Sequence, residues 1–261
     1  MINFQLLKSY LKHRLVAKTR HGVHSPFVYK LVDEVIYDYS SNAAYDEIEQ
    51  QRKVLLKDPR VINITDLGAG SHVNNNKQRS VKDIAKNALK PAKLAQLIFR
   101  LARERQPRNI IELGTCLGIT TSYLAKAVPA AKVVTIEGCP ETAKVAAGNF
   151  DSLHVNNTQL LTGNFDTIFP DVINAEDKLD FVYVDGNHRK EATLNYFKWC
   201  LPKINENTLI IFDDIYWSKG MEEAWEEIKS HPQVTVTIDL FWIGLVYFRK
   251  GQKKEHFSIR Y

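Results

Sequence analysis

Six polar residues stand where apolar runs of the chain stop: Glu112, Glu137, Asn164, Asp185, Asp213 and Asp214. Any one of them alone is commonly a turn former or a cap. As a set they offer three kinds of chemistry: accepting hydrogen bonds from sugar hydroxyls, balancing a cationic ligand, and holding a divalent cation through hard oxygen donors. His188, three residues after Asp185, adds a group that can take a proton near neutral pH. Between Glu112 and Glu137 lie Gly114 and Gly118, spaced Glu112-x-Gly114-x-x-x-Gly118. Glycines there let backbone N–H groups approach a small ligand.

The elements that must position these residues follow from periodicity. Short apolar runs at Ile110–Leu113, Lys132–Ile136, Thr158–Leu161, Leu179–Val184 and Thr208–Phe212 read as buried strands. Helical spacing fills the intervals, at 91–105, 120–127, 141–150, from after Gly186 to Leu201, and at 221–230. Alternating strand and helix with near-continuous apolar strands means a parallel sheet covered on both faces, an α/β fold. Runs at 234–238 and 243–248 are too close for a helical crossover and are expected to pair antiparallel. The tail from Lys250 to His256 reads as a solvated end. In an open sheet of this kind ligands lie beyond the carboxyl ends of the strands.

Glu137 follows Gly114 by 23 residues, the place where a carboxylate meets ribose hydroxyls in nucleotide-type sites. The glycine spacing is not the three-glycine pattern that pyrophosphate requires. Glu112, expected to face the same crevice, suits a ligand carrying ammonium and sulfonium charges, as S-adenosylmethionine does. A second glycine stretch, Val61-Ile-Asn-Ile-Thr-Asp-Leu-Gly-Ala-Gly-Ser71, is a decoy. The residues after it are too polar to open a packed helix, and no acid-ended strand follows at the right distance. Residues 61–80 are therefore expected to be a loop, either a glycine-hinged lid or a plain surface connection.

The first 60 residues read as basic and helical. Phe4, Leu6, Leu7, Leu11 and Leu15 suggest a loosely amphipathic helix ringed by Lys8, Lys12, Arg14, Lys18 and Arg20. Ser25-Pro26 marks a capped second helix running to Ile36, and a third spans about 43–56. His21 and His24 flank the intervening turn, either as surface residues or with one at a substrate mouth. The expected division is a helical or lid region at 1–90 and a ligand-binding domain at 91–261.

From about Pro91 to Arg249 the chain resembles class I S-adenosylmethionine-dependent methyltransferases, and among them small-molecule O-methyltransferases similar to catechol O-methyltransferase. The residues carrying the resemblance are Glu112-Leu-Gly-Thr-Cys-Leu-Gly118, Val134-Thr-Ile-Glu137, Val182-Tyr-Val-Asp-Gly-Asn-His188 and Ile211-Phe-Asp-Asp214. The resemblance implies a doubly wound, Rossmann-like seven-stranded sheet of order 3-2-1-4-5-7-6, with the seventh strand antiparallel. It implies donor contacts from Glu112, Gly114, Thr115, Gly118, Thr120, Glu137, Asn164 and Asp185, with Glu137 on the ribose and Asn164 near the adenine. It also implies Mg²⁺ held by Asp185, Asp213 and Asp214. The family's lysine three residues after the first aspartate is His188 here, and its usual asparagine is Asp214. His188 and Asp185 are accordingly the candidate catalytic residues, and Tyr216, Trp217, Phe241 and Trp242 the candidate acceptor wall.

Composition limits the alternatives. Hydrophobic content of 44% and charged content of 25% are ordinary for a globular chain. No apolar run reaches the roughly 18 residues of a membrane span, so no membrane partner is expected. Cys116, Cys139 and Cys200 have no metal-ligand spacing and read as free thiols. With no signal-peptide pattern at the amino end, a cytoplasmic location is expected. The expected partner is a small-molecule acceptor, with a homodimer allowed. The basic amino-terminal segment raises an RNA or protein methyltransferase as an alternative. A nucleic-acid partner is disfavoured, because acids mingle with bases from Asp33 onward. A catalytically silent S-adenosylmethionine-binding protein is the other alternative, and an NAD-dependent enzyme the weakest.

Overall fold

The computed structural model describes residues 4–65 and 77–261. In chain order, α1 is Phe4–Val16. Helix α2 is Pro26–Leu31, which runs on into a single π turn at Val32–Ile36. Pro26 sits at the first helical position, where its missing N–H costs nothing, and Ser25 Oγ accepts from the Val28 amide at 3.5 Å. Helix α3, Ala43–Leu55, is capped by Asn42, whose Oδ1 accepts from Ala44 N at 3.0 Å. Next come β1, Val61–Asn63, and β2, Gln78–Ser80, then α4, Val81–Ala88, and α5, Ala92–Arg105. Ser80 caps α4 through the Asp83 amide. The regular alternation follows: β3 Asn109–Leu113, α6 Ile119–Ala127, β4 Lys132–Glu137, α7 Pro140–Ser152, β5 Thr158–Thr162, α8 Phe165–Asn174, β6 Phe181–Val184, α9 Lys190–Cys200, β7 Leu209–Asp213, α10 Lys219–Ser230, β8 Val236–Asp239, β9 Ile243–Tyr247 and β10 Glu255–Ser258.

The chain forms two compact units, one of residues 39–172 and one of residues 1–38 with 173–261. In the first, β3, β4 and β5 are parallel neighbours in that order, with Ile111 opposite Val134 and Val134 opposite Gln159. Every residue of β3 is buried, which is why the run carries no polar alternation. Helices α5 and α6 pack on this core, and Phe99 meets Tyr45 and Tyr123 edge to face at 5.0 and 6.4 Å, with Tyr45 and Tyr123 tilted at 5.8 Å.

In the second unit β6 and β7 are parallel, and β9 lies antiparallel to both β7 and β8. The expected antiparallel seventh strand is therefore present as β9. The expected order is met within each unit, as β5-β4-β3 and as β6-β7-β9-β8, and the fold class is α/β with mainly parallel strands.

Four expectations are corrected. The tail is not a solvated end: β10 adds in parallel to β8, pairing Glu255 with Val236 and Ser258 with Asp239, and Ile259 beyond it is fully buried. Residues 61–80 are not all loop, because β1 and β2 pair antiparallel with Val61 opposite Ser80; Gly68 and Gly70 lie outside the described residues. Helix α8 forms over a stretch for which the pattern gave no element, with Pro170 inside it. Finally, α1 turns most of its expected apolar face outward: Phe4, Leu7, Leu11 and Leu15 are exposed, and His13 is the buried residue of the helix.

Candidate active site

In the unit of residues 39–172, β3 ends at Leu113 and the chain turns through Gly114 and Gly118 into α6. Gly114 has φ 97° and Gly118 φ 77°, conformations that glycine adopts without steric penalty. A Cβ at position 118 would lie 2.6 Å from Phe150 Cε1, so close packing as well as φ demands glycine. The turn is tied to the neighbouring strand by the Gly114 amide, which donates to Ile136 O at 2.9 Å.

Glu137, at the end of β4, faces this turn. Its Oε2 accepts from the Cys116 amide at 2.7 Å and its Oε1 from the Cys139 amide at 2.9 Å. Two backbone donors fix the carboxylate in place beside the glycine turn.

Glu112 is corrected. It is fully buried, and its Oε2 accepts from Thr135 Oγ1 at 2.6 Å and from the Thr121 hydroxyl. Thr115 joins the same cluster, its hydroxyl 2.5 Å from that of Thr135. The glutamate expected to face an open crevice lies beneath the turn, clamping β3, β4 and the start of α6 together. The reason is geometric: its neighbours Ile111 and Leu113 face one side of the sheet, and residue 112 must point under α6. Thr120 is buried in the first turn of α6. Asn164 is exposed and occupied locally, its Oδ1 accepting from the Asp166 amide at 3.0 Å at the start of α8.

The other unit gathers the remaining candidates. Oxygens of Asp185 and Asp213 and a ring nitrogen of His188 lie within 4.8 Å of one another. Asp185 follows β6 and Asp213 ends the adjacent parallel β7, so strand pairing alone brings the two carboxylates together. His188 reaches back through a turn in which Asn187 has φ 50°. Its Nε2 stands 3.8 Å from Asp185 Oδ1 and 3.7 Å from Asp214 Oδ2. Asp214 itself has φ 51°, and its amide donates to Trp242 O at 2.8 Å. The groups that all lie within 4.8 Å of one another are thus Asp185, His188 and Asp213, whereas the expected set had Asp214 in place of His188. Two carboxylates and an imidazole at this separation are a donor set that fits a divalent cation.

One residue of this group escaped the sequence reading. Tyr183 is fully buried, with its hydroxyl 3.1 Å from Asp185 Oδ2 and 3.3 Å from Asp213 Oδ1. The available signal was period two on β6, which sets Tyr183 on the same side as Asp185.

The aromatic wall divides. Tyr216 and Phe241 stack at 4.9 Å and 10°, and the Tyr216 hydroxyl donates to Asp239 Oδ2 at 2.6 Å. Burial and the adjacent Asp239 charge push that phenol far above its ordinary range, so this pair is packing. Trp217 keeps its ring 6.4 Å from that of His188, and Trp242 is exposed. His21 and His24 are exposed and make no hydrogen bond or ion pair among the described residues.

Residues 111–215 match a family model described as a methyltransferase domain. The chain is 32% identical over 126 residues to a catechol O-methyltransferase of Niastella koreensis, covering 47% of this chain and 55% of that one. It is 28% identical over 132 residues to a catechol O-methyltransferase of Mycobacterium tuberculosis, covering 50% and 58%. The chain thus spans a little over half the length of these curated relatives. Among solved structures, an adenosylhomocysteine-bound methyltransferase of Podospora anserina superposes with a TM-score of 0.60 at 13% identity, covering 87% of this chain and 98% of that one. An O-methyltransferase of Bacillus cereus in complex with adenosylhomocysteine gives 0.57 at 19%, covering 81% and 93%. These likenesses establish the fold. Residues 111–215 are thus similar to a methyltransferase domain, and the chain is similar in sequence to catechol O-methyltransferases and in fold to O-methyltransferases.

Proposed function

We propose that the protein transfers a methyl group from S-adenosylmethionine to a hydroxyl oxygen of a small molecule. The observation that carries the reading is Glu137: two backbone amides hold its carboxylate against a glycine turn at the end of β4, the place where a carboxylate meets ribose hydroxyls in nucleotide-type sites. The turn from Gly114 to Thr120 is assigned to the methionine end of the donor. Glu112 acts from beneath, holding the turn rigid, and Asn164 is assigned to the adenine edge. Relatives named catechol O-methyltransferases support an aromatic hydroxyl as acceptor.

S-adenosylmethionine supplies the electrophilic methyl group. The protein aligns the acceptor oxygen and removes one proton. His188 is assigned as the base: Nε2 takes the hydroxyl proton, and the carboxylates of Asp185 and Asp214 on either side stabilise the positive ring that results. With His188 kept as the base, Asp185, Asp213 and Asp214 would hold a divalent cation, which when bound lowers the pKa of a coordinated hydroxyl. Tyr183 donates its phenolic hydrogen to one of the two aspartates and fixes their separation. Trp217, beside His188, offers an aromatic face to an acceptor ring.

The test is incubation with S-adenosylmethionine and a panel of phenols, vicinal diphenols and aliphatic alcohols, with and without Mg²⁺, measuring adenosylhomocysteine. Methylation of a hydroxyl acceptor, reduced by His188→Ala most for the least acidic hydroxyls, is expected. Methyl transfer to RNA or protein alone would replace this reading.

A further inference from the structure

Helix α1 has two faces of different character. Inward, His13 is buried with Nε2 3.2 Å from Asp239 Oδ1, Tyr10 meets Phe241 edge to face at 5.0 Å, and the Ser9 hydroxyl donates to Glu222. Outward, Phe4, Leu7, Leu11 and Leu15 recur at helical spacing, and Phe4 and Leu15 are 83% and 84% exposed. At 3.6 residues per turn these four cover roughly 80° of the circumference, directly opposite His13. Arg14 borders the strip on one side and Lys8 and Lys12 on the other. None of these three cations makes an ion pair with a described residue. No aspartate or glutamate occurs before Asp33.

Large apolar side chains this exposed, contiguous on one helix, call for a partner. A second copy of the same face is a poor one: apposed α1 helices would set Lys8, Lys12 and Arg14 against each other, and the nearby carboxylates, Glu222, Glu223, Glu226 and Glu227 of α10, lie on the flank of α1 that carries Ser9 and His13, away from the apolar strip. The strip is also convex, a single projecting helix rather than a groove. We infer that α1 lies on an anionic phospholipid surface, with Phe4, Leu7, Leu11 and Leu15 in the acyl boundary and Lys8, Lys12 and Arg14 at the headgroups. The helix rests on the bilayer and does not cross it; no helix among the described residues is long and apolar enough to do so. His13 and its bond to Asp239 set the orientation by holding the opposite face against the protein.

The probe is the full chain sedimented with vesicles of phosphatidylcholine alone or mixed with phosphatidylglycerol. Partition onto the mixed vesicles that falls with added salt is expected. Leu11→Glu with Leu15→Glu should lower that partition by about tenfold or more, since each removes an apolar anchor and adds a repelled charge. Lys8→Ala with Lys12→Ala should reduce the preference for phosphatidylglycerol while keeping the residual binding. All four positions are exposed, so circular dichroism and Tm should match those of the unaltered protein. Absence of partition at low salt overturns the proposal, as does equal partition of the Leu11→Glu, Leu15→Glu variant. A dimer in sedimentation velocity that this double variant dissociates, with no vesicle binding, overturns it in favour of a second copy.

Discussion

Replacing Glu137 by alanine tests the donor site where the structure is most explicit. The carboxylate is held by the Cys116 and Cys139 amides at 2.7 and 2.9 Å, and the proposed donor would set its two ribose hydroxyls on the same carboxylate. A hydrogen bond to a charged group contributes roughly 1.5–3 kcal/mol. Two such bonds to one ligand are not additive, so the expected loss is about 2–4 kcal/mol, which is about 30- to 1,000-fold in Kd. The amides freed by the substitution border a partly open turn and can be met by water, so the fold should survive with a small drop in Tm. Glu137→Gln is the sharper companion: it keeps one acceptor oxygen but sets an NH2 group against an amide donor, and should lose nearly as much. The assay is isothermal titration with adenosylhomocysteine, alongside thermal unfolding without ligand. A Kd within threefold of the unaltered protein, in a variant that is folded, would refute the assignment of ribose to Glu137.

Gly118→Ala should destabilise the protein by about 2–4 kcal/mol, combining the left-handed backbone penalty with a Cβ 2.6 Å from Phe150; thermal unfolding should show a fall on the order of 10 °C, and an unchanged Tm would mean the turn is not held as described. Tyr183→Phe should weaken binding of Mg²⁺ or Mn²⁺ in calorimetry by about tenfold through loss of one hydrogen bond to the aspartate pair, while Asp185→Asn with Asp213→Asn should abolish it. Cation affinity untouched by either change would remove the metal assignment. Burial depresses both His231 and His256 below the ordinary histidine pKa, helped by Lys254 at His231 and by Lys229 and then Lys254 at His256. Both take up a proton at lower pH in the folded state than in the unfolded chain, where histidine protonates near pH 6.5, so their stabilisation is complete above that value and is lost as pH falls through their folded values. Urea midpoints should therefore drop between pH 7.5 and 5.5, and less steeply in Lys254→Ala. Asp239 behaves in the same direction at lower pH: burial opposes its charge, but hydrogen bonds from His13 and Tyr216 hold its carboxyl below the usual range.

Much of the site was legible because chain direction does the positioning. Within each unit parallel strands deliver their carboxyl ends to the same side, so Glu137 in one unit, and Asp185 and Asp213 in the other, could be found by asking where apolar runs stop. What was not legible depends on facing rather than on spacing. Glu112 has the same residue type and nearly the same position as Glu137, yet one is enclosed by Thr121 and Thr135 and the other meets the glycine turn. Asn164 looked like a ligand contact, and its side chain caps the next helix start. Leu7, Leu11 and Leu15 looked inward because leucines usually are; His13, which reads as polar, is the residue α1 buries, since Asp239 supplies a partner. β10 was hidden by its charged approach, Lys250 to Lys254, and revealed by the unpaired edge of β8, which takes Glu255–Ser258 as a neighbour.

The most direct test of the central claim is a crystal structure of the chain with adenosylhomocysteine. The account predicts both ribose hydroxyls on the Glu137 carboxylate and the methionine end along Gly114 to Thr120. Adenosylhomocysteine bound elsewhere on the chain, with Glu137 still facing solvent, would contradict it.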